Sequence, residues 1–439
     1  MRIRTIAMSA LVCLSFCSGA IAQWVRTNSP FGRDISCLVV SGTNLFAGSR
    51  GGGVFLTTDD GTIWQPMING LGDRSVISLA ICGSNLFAGT IGIPGSWWDT
   101  PAGAILISSN EGATWQTVDS SMEGWVSCFT GSDSNVFAGT LAPVEGAVAR
   151  ILTSKNGTIW NPIPAFGPLK NSRVSSLATS GANLFAGTSG MNPGLYRSTD
   201  NGTSWQMPDS GFNGGGIFAL VPSPNRAGGT DLFAGTGIGV YLSTDEGLSW
   251  TSVSTGLPDY VNIYGWISAL AVSPNGTGGI NLFAGTAFDG VFVTTNNGAS
   301  WSAVNTGLAD SSVSSLAVSG TYLFAGTGSG AWRRPLSEMV TTAVIEVGGE
   351  IAKEFSLRQN YPNPFNPSTT ISYGLPRQSH VLLTVYSTLG QKVAEIVNGE
   401  MEAGNHEVTF DASHLASGAY LYRLTAGAFM ETKTFLLVR

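Results

Sequence analysis

Asn183-Leu184-Phe185-Ala186-Gly187-Thr188, then Gly194-Leu195-Tyr196-Arg197-Ser198, then Thr199-Asp200-Asn201-Gly202-Thr203-Ser204-Trp205, decides how this chain is read. Two of the stretches are short β-forming runs and the third is a turn rich in Asp, Asn and Gly. The first returns seven times. Its Phe stands at 46, 87, 137, 185, 233, 283 and 324, at intervals of 41, 50, 48, 48, 50 and 41 residues, with Val136 once in place of Leu. The turn returns six times, ending at Trp64, Trp115, Trp160, Trp205, Trp250 and Trp301. A period of this size, built from short apolar runs and Gly turns, marks a radial β-repeat.

An apolar run such as Val174-Ser175-Ser176-Leu177-Ala178 precedes each copy, and the Trp turn leads into a fourth run. Four antiparallel strands in sequence make one propeller blade. Seven Leu-Phe-Ala-Gly runs face only six Trp turns, because the seventh unit ends at Ala331-Trp332. The orphan stands at the other end, where Trp24-Val25-Arg26 precedes the first unit as Trp64-Gln65-Pro66 precedes the second. The N-terminal strand is therefore expected to complete the last blade and remove the open edge. The expected fold is all-β: a seven-bladed β-propeller of four-stranded blades over residues 23–335, about 45 residues per blade.

The turns read Ser/Thr-x-Asp/Asn-x-Gly-x-Ser/Thr-Trp, with Asp59, Asn110, Asp200, Asp245 and Asn296 at the third place. The copy from Lys155 to Trp160 is read as degenerate, Lys replacing Asp, and Ile63 and Ile159 stand at a Ser/Thr place. The Asp or Asn side chain folds back onto backbone N–H groups, Gly supplies positive φ, and Trp buries between blades. This pattern resembles the Asp-box propellers, which include sialidases, xyloglucanases, sortilin-type receptors and photosystem-assembly-factor-like proteins. The resemblance implies that the box is a structural turn remote from the active face.

Residues 1–22 read as a signal peptide: Arg2 and Arg4, an apolar stretch from Ile6 to Phe16, and the small-residue site Ala20-Ile21-Ala22. The stretch is too short for a membrane span, and no other segment could cross a bilayer with a helix. Removing the two Arg takes the formal charge from −7 to −9, which disfavours nucleic acid and anionic membranes as partners. Cys37, Cys82 and Cys128 remain; Cys37 and Cys128 occupy equivalent places inside apolar runs, as small buried residues do. No CxxC spacing exists, so no zinc site or other cofactor is expected.

After a linker at 336–353 the pattern changes to Asn360-Tyr361-Pro362-Asn363-Pro364-Phe365, too rich in Pro for helix or central strand. Alternating runs follow and predict a small β-sandwich over 354–439. Together with Gly390 in the Leu389–Val393 hairpin, Gly404, the Gly418-Ala419-Tyr420 run and the terminal strand from Lys433, the segment resembles the C-terminal sorting domain of type IX secretion. That resemblance implies a Bacteroidetes-type cell, the type IX machinery as partner, passage across the outer membrane, and common removal of the domain as its cargo is released or fixed to surface polysaccharide.

Chemistry is sparse in the repeat. His380, His406 and His414 all lie in the tail, so the propeller carries neither a Ser-His-Asp nor a Cys-His site. No Gly-rich loop opens a helix after a strand. Glycoside hydrolysis needs only carboxylates and survives as an alternative; a purely structural surface component is another. The residues just before the first strands are expected to ring the channel mouth, opposite the boxes: Asp34, Ser75, Trp125, Arg173, Gly216, Trp266 and Ser312, with Trp97, Trp98 and Tyr264 in lengthened loops on that face. Exposed Trp and Tyr stack on sugars or anchor peptides. The expected function is thus a monomeric, non-catalytic cell-surface or secreted module with a glycan or protein ligand.

Overall fold

The computed structural model describes residues 23–28, 34–72, 74–91, 103–122, 124–131, 135–141, 149–163, 172–190, 193–207, 210–213, 215–225, 229–259, 265–275, 279–339, 354–360, 363, 365, 368–412 and 415–438. The expected leader at 1–22, and 340–353 of the expected linker, lie outside them. The chain divides into two compact units, with the main boundary between Met339 and Val340. No helix among the described residues is long and apolar enough to cross a membrane.

In the larger unit each repeat forms its own antiparallel sheet. The first contains Ile35–Ser41, Asn44–Ser49, Gly53–Thr57 and Gln65–Pro66, in that order. The others follow the same order, except that the fourth repeat's outermost strand is reduced to one bridge between Arg197 and Gln206. The last sheet, Val313–Ser319, Tyr322–Thr327 and Gly330–Pro335, takes its outer strand from Val25–Arg26. Val25 stands opposite Arg333 and Arg26 opposite Trp332. The first described residues of the chain thereby cover the edge that the last repeat would leave open.

The Leu-Phe-Ala-Gly motif is buried on both faces, as a strand between two packed sheets must be. All seven Phe are at most 3% exposed, and each Ala is at 0%. The Gly has a different task. A Cβ on Gly48, Gly89, Gly139, Gly187, Gly235, Gly285 or Gly326 would fall 2.6–2.8 Å from Val76, Val126, Val174, Ile217, Ile267, Val313 or Ile35 respectively. Each of these is a buried Val or Ile at the start of the next sheet's first strand, and Gly326 meets Ile35 of the first sheet. Only glycine allows that approach.

Serine hydroxyls fasten the same seam. Ser36, Ser127 and Ser175 sit at β-bulges and donate 2.5 Å bonds to the carbonyls of Val76, Val174 and Ile217 in the next sheet. Ser268 does the same to Val313, and Ser78 donates to Val126 at 2.7 Å. The same hydroxyls also reach the Gly carbonyls of their own sheet, Ser36 to Gly48 at 3.2 Å, Ser127 to Gly139 at 3.0 Å and Ser175 to Gly187 at 3.3 Å, so at the bulge each stands between two sheets.

Each Trp turn is closed by its own side chains. In the fourth, Asp200 accepts from Ser204 Oγ at 2.6 Å, Ser204 N at 2.8 Å and Ser198 Oγ at 2.8 Å, and Gly202 N donates to Ser198 Oγ at 2.8 Å. The residue before the Gly is left-handed, with φ of 54–59° at Asp60, Glu111, Asn201, Glu246 and Asn297. The third turn differs from the sequence expectation. Lys155 does not degrade it; the turn is one residue shorter, and Asn156 takes the Asp place directly before Gly157. Its Oδ1 accepts from Thr158 N at 3.1 Å and Ile159 N at 3.3 Å. Alignment by Gly and Trp hides a deletion at the left-handed residue.

The Asp200 turn carries a testable acid dependence. Ser204 Oγ, then Ser204 N and Ser198 Oγ, hold its carboxyl down to about 2, against about 3.9 in an unfolded chain. A folded-state pKa below the unfolded one stabilises the fold above the unfolded value, and this is lost as pH falls through the folded one. Asp200→Asn keeps the Oδ1 acceptor but cannot titrate. Its urea midpoint is expected to vary less than the parent's between about pH 4 and 2; equal pH dependence of the two would contradict this.

A second recurrent seam was not read from the sequence. Backbone N–H groups of Trp115, Trp250 and Trp301 donate to the carbonyls of Asn69 (2.8 Å), Ser210 (3.2 Å) and Thr255 (2.9 Å) in the preceding connection. The next residues, Gly70, Gly211 and Gly256, lie directly against the same Trp backbones. Trp24 repeats the arrangement with Thr306, at 2.8 Å, and with Gly307. The signal was present as Asn-Gly-Leu, Ser-Gly-Phe, Thr-Gly-Leu and Thr-Gly-Leu. Burial meanwhile pushes the thiols of Cys37 and Cys128 up to about 12, so both are inert packing groups.

The smaller unit has two antiparallel sheets. Ser356–Leu357, Ser368–Leu375 and Gly404–Asp411 form one, and Lys392–Met401, Ser379–Ser387, Gly418–Ala426 and Phe429–Leu437 the other. Ile371, Tyr373, Leu383, Tyr422, Leu424 and Phe435 belong to one shared core between them, as in a small sandwich.

Candidate functional site

In the larger unit the first strand of each sheet starts where the second ends, as Val174 opposite Thr188 and Val313 opposite Thr327 illustrate. The Trp turns follow the third strands and so lie at the other end. Residues before the first strands share one end, and there the structure treats the expected rim unevenly. Asp34 is engaged by Arg50, Nε to Oδ2 at 3.3 Å, an exposed pair worth little energy. Trp125 is not a loop residue but the first of the strand Trp125–Gly131, opposite Leu141; its ring is half-buried and its Nε1 is buried with no acceptor. Arg173 also lies inside a strand, opposite Ser189, with its side chain exposed. Trp97, Trp98 and Tyr264 lie outside the described residues. Among the described residues no hydrogen bond, ion pair or ring contact joins Asp34, Trp125, Arg173 and Trp266 to one another.

Trp266 instead has two aromatic neighbours that the sequence reading did not name. Its ring lies 5.5 Å from Phe218 at 31° and 5.9 Å from Phe288 at 73°. Phe218 occupies the fifth sheet's bulge, where Ser36, Ser127, Ser175 and Ser268 stand in other sheets. The hydroxyl fastener is replaced there by a ring. Gly216 and Gly237 border that ring and leave room for it. Phe288 sits in the loop between the sixth sheet's second and third strands and is 56% exposed. The available signal was an aromatic residue at a repeat position that carries serine in five repeats and Ile77 in one, and an apolar residue in the turn Ala287-Phe288-Asp289-Gly290.

Two carboxylates belong to the same end. The backbone carbonyl of Asp289 accepts from Asn305 Nδ2 at 2.8 Å, while its Oδ2 is buried without a partner. Asp310 accepts from Ser312 N at 3.0 Å and Ser329 N at 2.8 Å. Burial pushes its carboxyl up, but these amide donors outweigh it and the group ends below the usual range. Among the described residues no cluster of His, Cys, Asp or Glu could hold a metal ion. What the end offers chemically is a T-shaped and tilted aromatic trio, with Phe218 on a strand, Trp266 directly before one and Phe288 in a loop, and with acceptors nearby.

In the smaller unit the Asn-Pro segment is held by polar bonds. Asn360 is 2% exposed; its N donates to Tyr422 Oη at 2.8 Å and its Nδ2 to Thr369 Oγ1 at 2.8 Å. Asn363 Oδ1 accepts from Leu436 N at 2.9 Å, and Phe365 pairs with Leu437 as a parallel bridge. The segment thus runs along the terminal strand and covers part of its edge. Tyr420 stacks on Phe435 at 5.5 Å and donates to Ala416 O at 2.9 Å. Lys433 pairs with Glu431 at 3.0 Å, and Gly390 turns its hairpin at φ 79°. Gly404 and Gly418 begin the strands Gly404–Asp411 and Gly418–Ala426. Pro362 and Pro364 lie outside the described residues.

Residues 359–438 match the family described as "Secretion system C-terminal sorting domain". The tail is a sorting domain. It implies export by type IX secretion, interaction with that machinery, and a surface or extracellular location. No curated protein matches the chain.

Solved structures resemble the chain through its repeats as well. A GH74 xyloglucanase from Xanthomonas campestris has a TM-score of 0.55 at 13% identity, covering 93% of this chain and 75% of that one. A structure described as YCF48 bound to D1 peptide has a TM-score of 0.50 at 13% identity, covering 72% of this chain and 95% of that one. At such identities the likeness concerns the fold alone: the sorting domain follows a β-propeller.

Proposed function

We propose that the chain is an exported glycan-binding module: a seven-bladed propeller of the Asp-box type, carried to the surface or beyond by its sorting domain. The aromatic trio Phe218, Trp266 and Phe288 carries this reading. Such rings bind the apolar faces of sugars, and their rigid seats keep the entropic cost of binding low. Trp125, Arg173 and Asp34 extend the surface at the same end, and Trp97, Trp98 and Tyr264 belong to the same proposal. The seven-blade count is supported by the glycine series, which runs from Gly48 on Val76 to Gly326 on Ile35. The boxes at Asp59, Asn110, Asp200, Asp245 and Asn296 act as structural turns, each satisfied by its own hydrogen bonds.

A hydrolase would need a carboxylic acid held protonated, with a second carboxylate within about 10 Å. At the aromatic end burial raises the Asp310 carboxyl, but its amide and hydroxyl donors hold it below the usual range. That direction supports binding over general-acid catalysis.

The full secreted protein incubated with a polysaccharide panel, xyloglucan included, tests the proposal by retention and by new reducing ends. Retention by at least one polysaccharide is expected, weakened about tenfold or more by Trp266→Ala. Reducing ends that vanish in Asp289→Asn or Asp310→Asn would convert the reading to hydrolysis. Retention of no polysaccharide would overturn it in favour of a protein ligand or a structural role.

A further inference from the structure

At the opposite end, among the Trp turns, a groove of about 550 Å³ opens between the third and fourth sheets. A recess of about 110 Å³ shares Asn135 and Asn201 with it. Asn135, Lys155, Asn156, Ile159, Asn161 and Asn201 line the groove. Four of these are amides, one is a cation, and Ile159 is 66% exposed.

The composition follows from the shortened third turn and from what its neighbours carry. At two other seams a Glu in the left-handed place reaches back to an Asn of the preceding repeat. Glu111 Oε2 accepts from Asn44 Nδ2 at 3.2 Å, and Glu246 Oε2 from Asn183 Nδ2 at 3.2 Å. Between the third and fourth repeats the corresponding residues are Asn135 and Asn201. None of the described residues that line this groove is a carboxylate, and among the described residues the side chains of Asn135, Asn161 and Asn201 make no hydrogen bond. Lys155, beside the shortened turn, makes no ion pair among the described residues. A surface that is acidic at its sister seams is amide-rich and cationic here.

We propose that this groove binds an acidic polysaccharide chain, at a site separate from the aromatic end and independent of its function. Each amide can both donate to and accept from sugar hydroxyls. The Lys155 ammonium meets a sugar carboxylate, and Ile159 covers the aliphatic face of a ring. A protein partner would call for an aromatic or extended apolar centre; here a single isoleucine stands among four amides and a lysine. With the aromatic end occupied as well, one molecule could join two polysaccharide chains.

Titration of the full secreted protein with polygalacturonate, and with its methyl-esterified neutral form, tests the site. Polygalacturonate is expected to bind, and the neutral form to bind several-fold more weakly at low salt. Asn135→Ala combined with Asn161→Ala is expected to weaken polygalacturonate about tenfold, two hydrogen-bonding groups being lost. Lys155→Gln should abolish the difference between the two polymers while leaving the weaker binding intact. All three substitutions are on exposed or half-buried side chains, and an unchanged urea midpoint would show that the fold persists. Trp266→Ala leaves binding at this groove unchanged, which separates failure here from failure of the aromatic site. Polygalacturonate affinity unaltered in the Asn variant, lost in Trp266→Ala, or absent altogether would overturn the proposal.

Discussion

Replacing Trp24 by alanine is expected to lower the stability of the propeller by about 3–5 kcal/mol, the usual loss for a buried Trp. Trp24 is 2% exposed. Its Nε1 donates to Val304 O at 2.6 Å and its backbone N to Thr306 O at 2.8 Å. It stands where Trp115 and Trp301 stand in their seams, each with Nε1 on the preceding connection, at 2.9 Å to Met67 O and 2.7 Å to Val253 O. The difference is that its strand comes from the start of the chain and closes the last sheet. Its loss therefore removes packing and loosens the pairing of Val25 and Arg26 with the sheet edge. Trp24→Phe, which keeps most of the burial, should cost about 1 kcal/mol, near the value of one hydrogen bond. All 12 Trp lie before residue 333, so Trp fluorescence in a urea titration reports the propeller without the sorting domain. A midpoint unchanged in Trp24→Ala would contradict closure by the N-terminal strand.

Gly211→Ala is expected to cost about 2–5 kcal/mol, combining left-handed strain with overpacking. Gly211 has φ +79° and its new Cβ would fall on the carbonyl oxygen of Trp250, with the carbonyl carbon at 2.9 Å. Neither obstacle is the end of a flexible side chain, so the seam between two sheets must widen. Gly42→Ala is the control. Gly42 has φ +59° with nothing within 4 Å of the added carbon, so it should cost only the conformational term, about 1–2 kcal/mol. Equal midpoints for the two variants would remove the argument that the Ser-Gly-Phe connection is shaped by the neighbouring Trp.

The strands were legible because each obeys local rules. Val174, Leu184, Phe185 and Leu195 are β-formers in short runs bounded by turn residues, and repetition made every copy a check on the others. The pairing of Val25 with Arg333 was legible for a subtler reason: a count of runs against turns left one Trp unassigned. The sorting segment was legible through Asn360, Gly390 and Tyr420 together, although the tyrosine hydroxyl of Tyr422 that anchors Asn360 N was not. The candidate site was read less well. Position before a strand singled out Trp266 without its ring neighbours Phe218 and Phe288, and it grouped Asp34, Trp125 and Arg173 without contacts to join them.

The repeat, its strands and turns, and the separate exported tail were all readable along the chain, because each depends on neighbouring residues. Only the tertiary structure decided which surfaces are left with something to bind. Phe218, Trp266 and Phe288 come from two different repeats, and Asn135 meets Asn201 across another seam. A repeat makes the seams similar in sequence; what distinguishes these two is an aromatic ring where most repeats carry serine, and a missing turn residue. The effect of each appears only when the next sheet is packed against it.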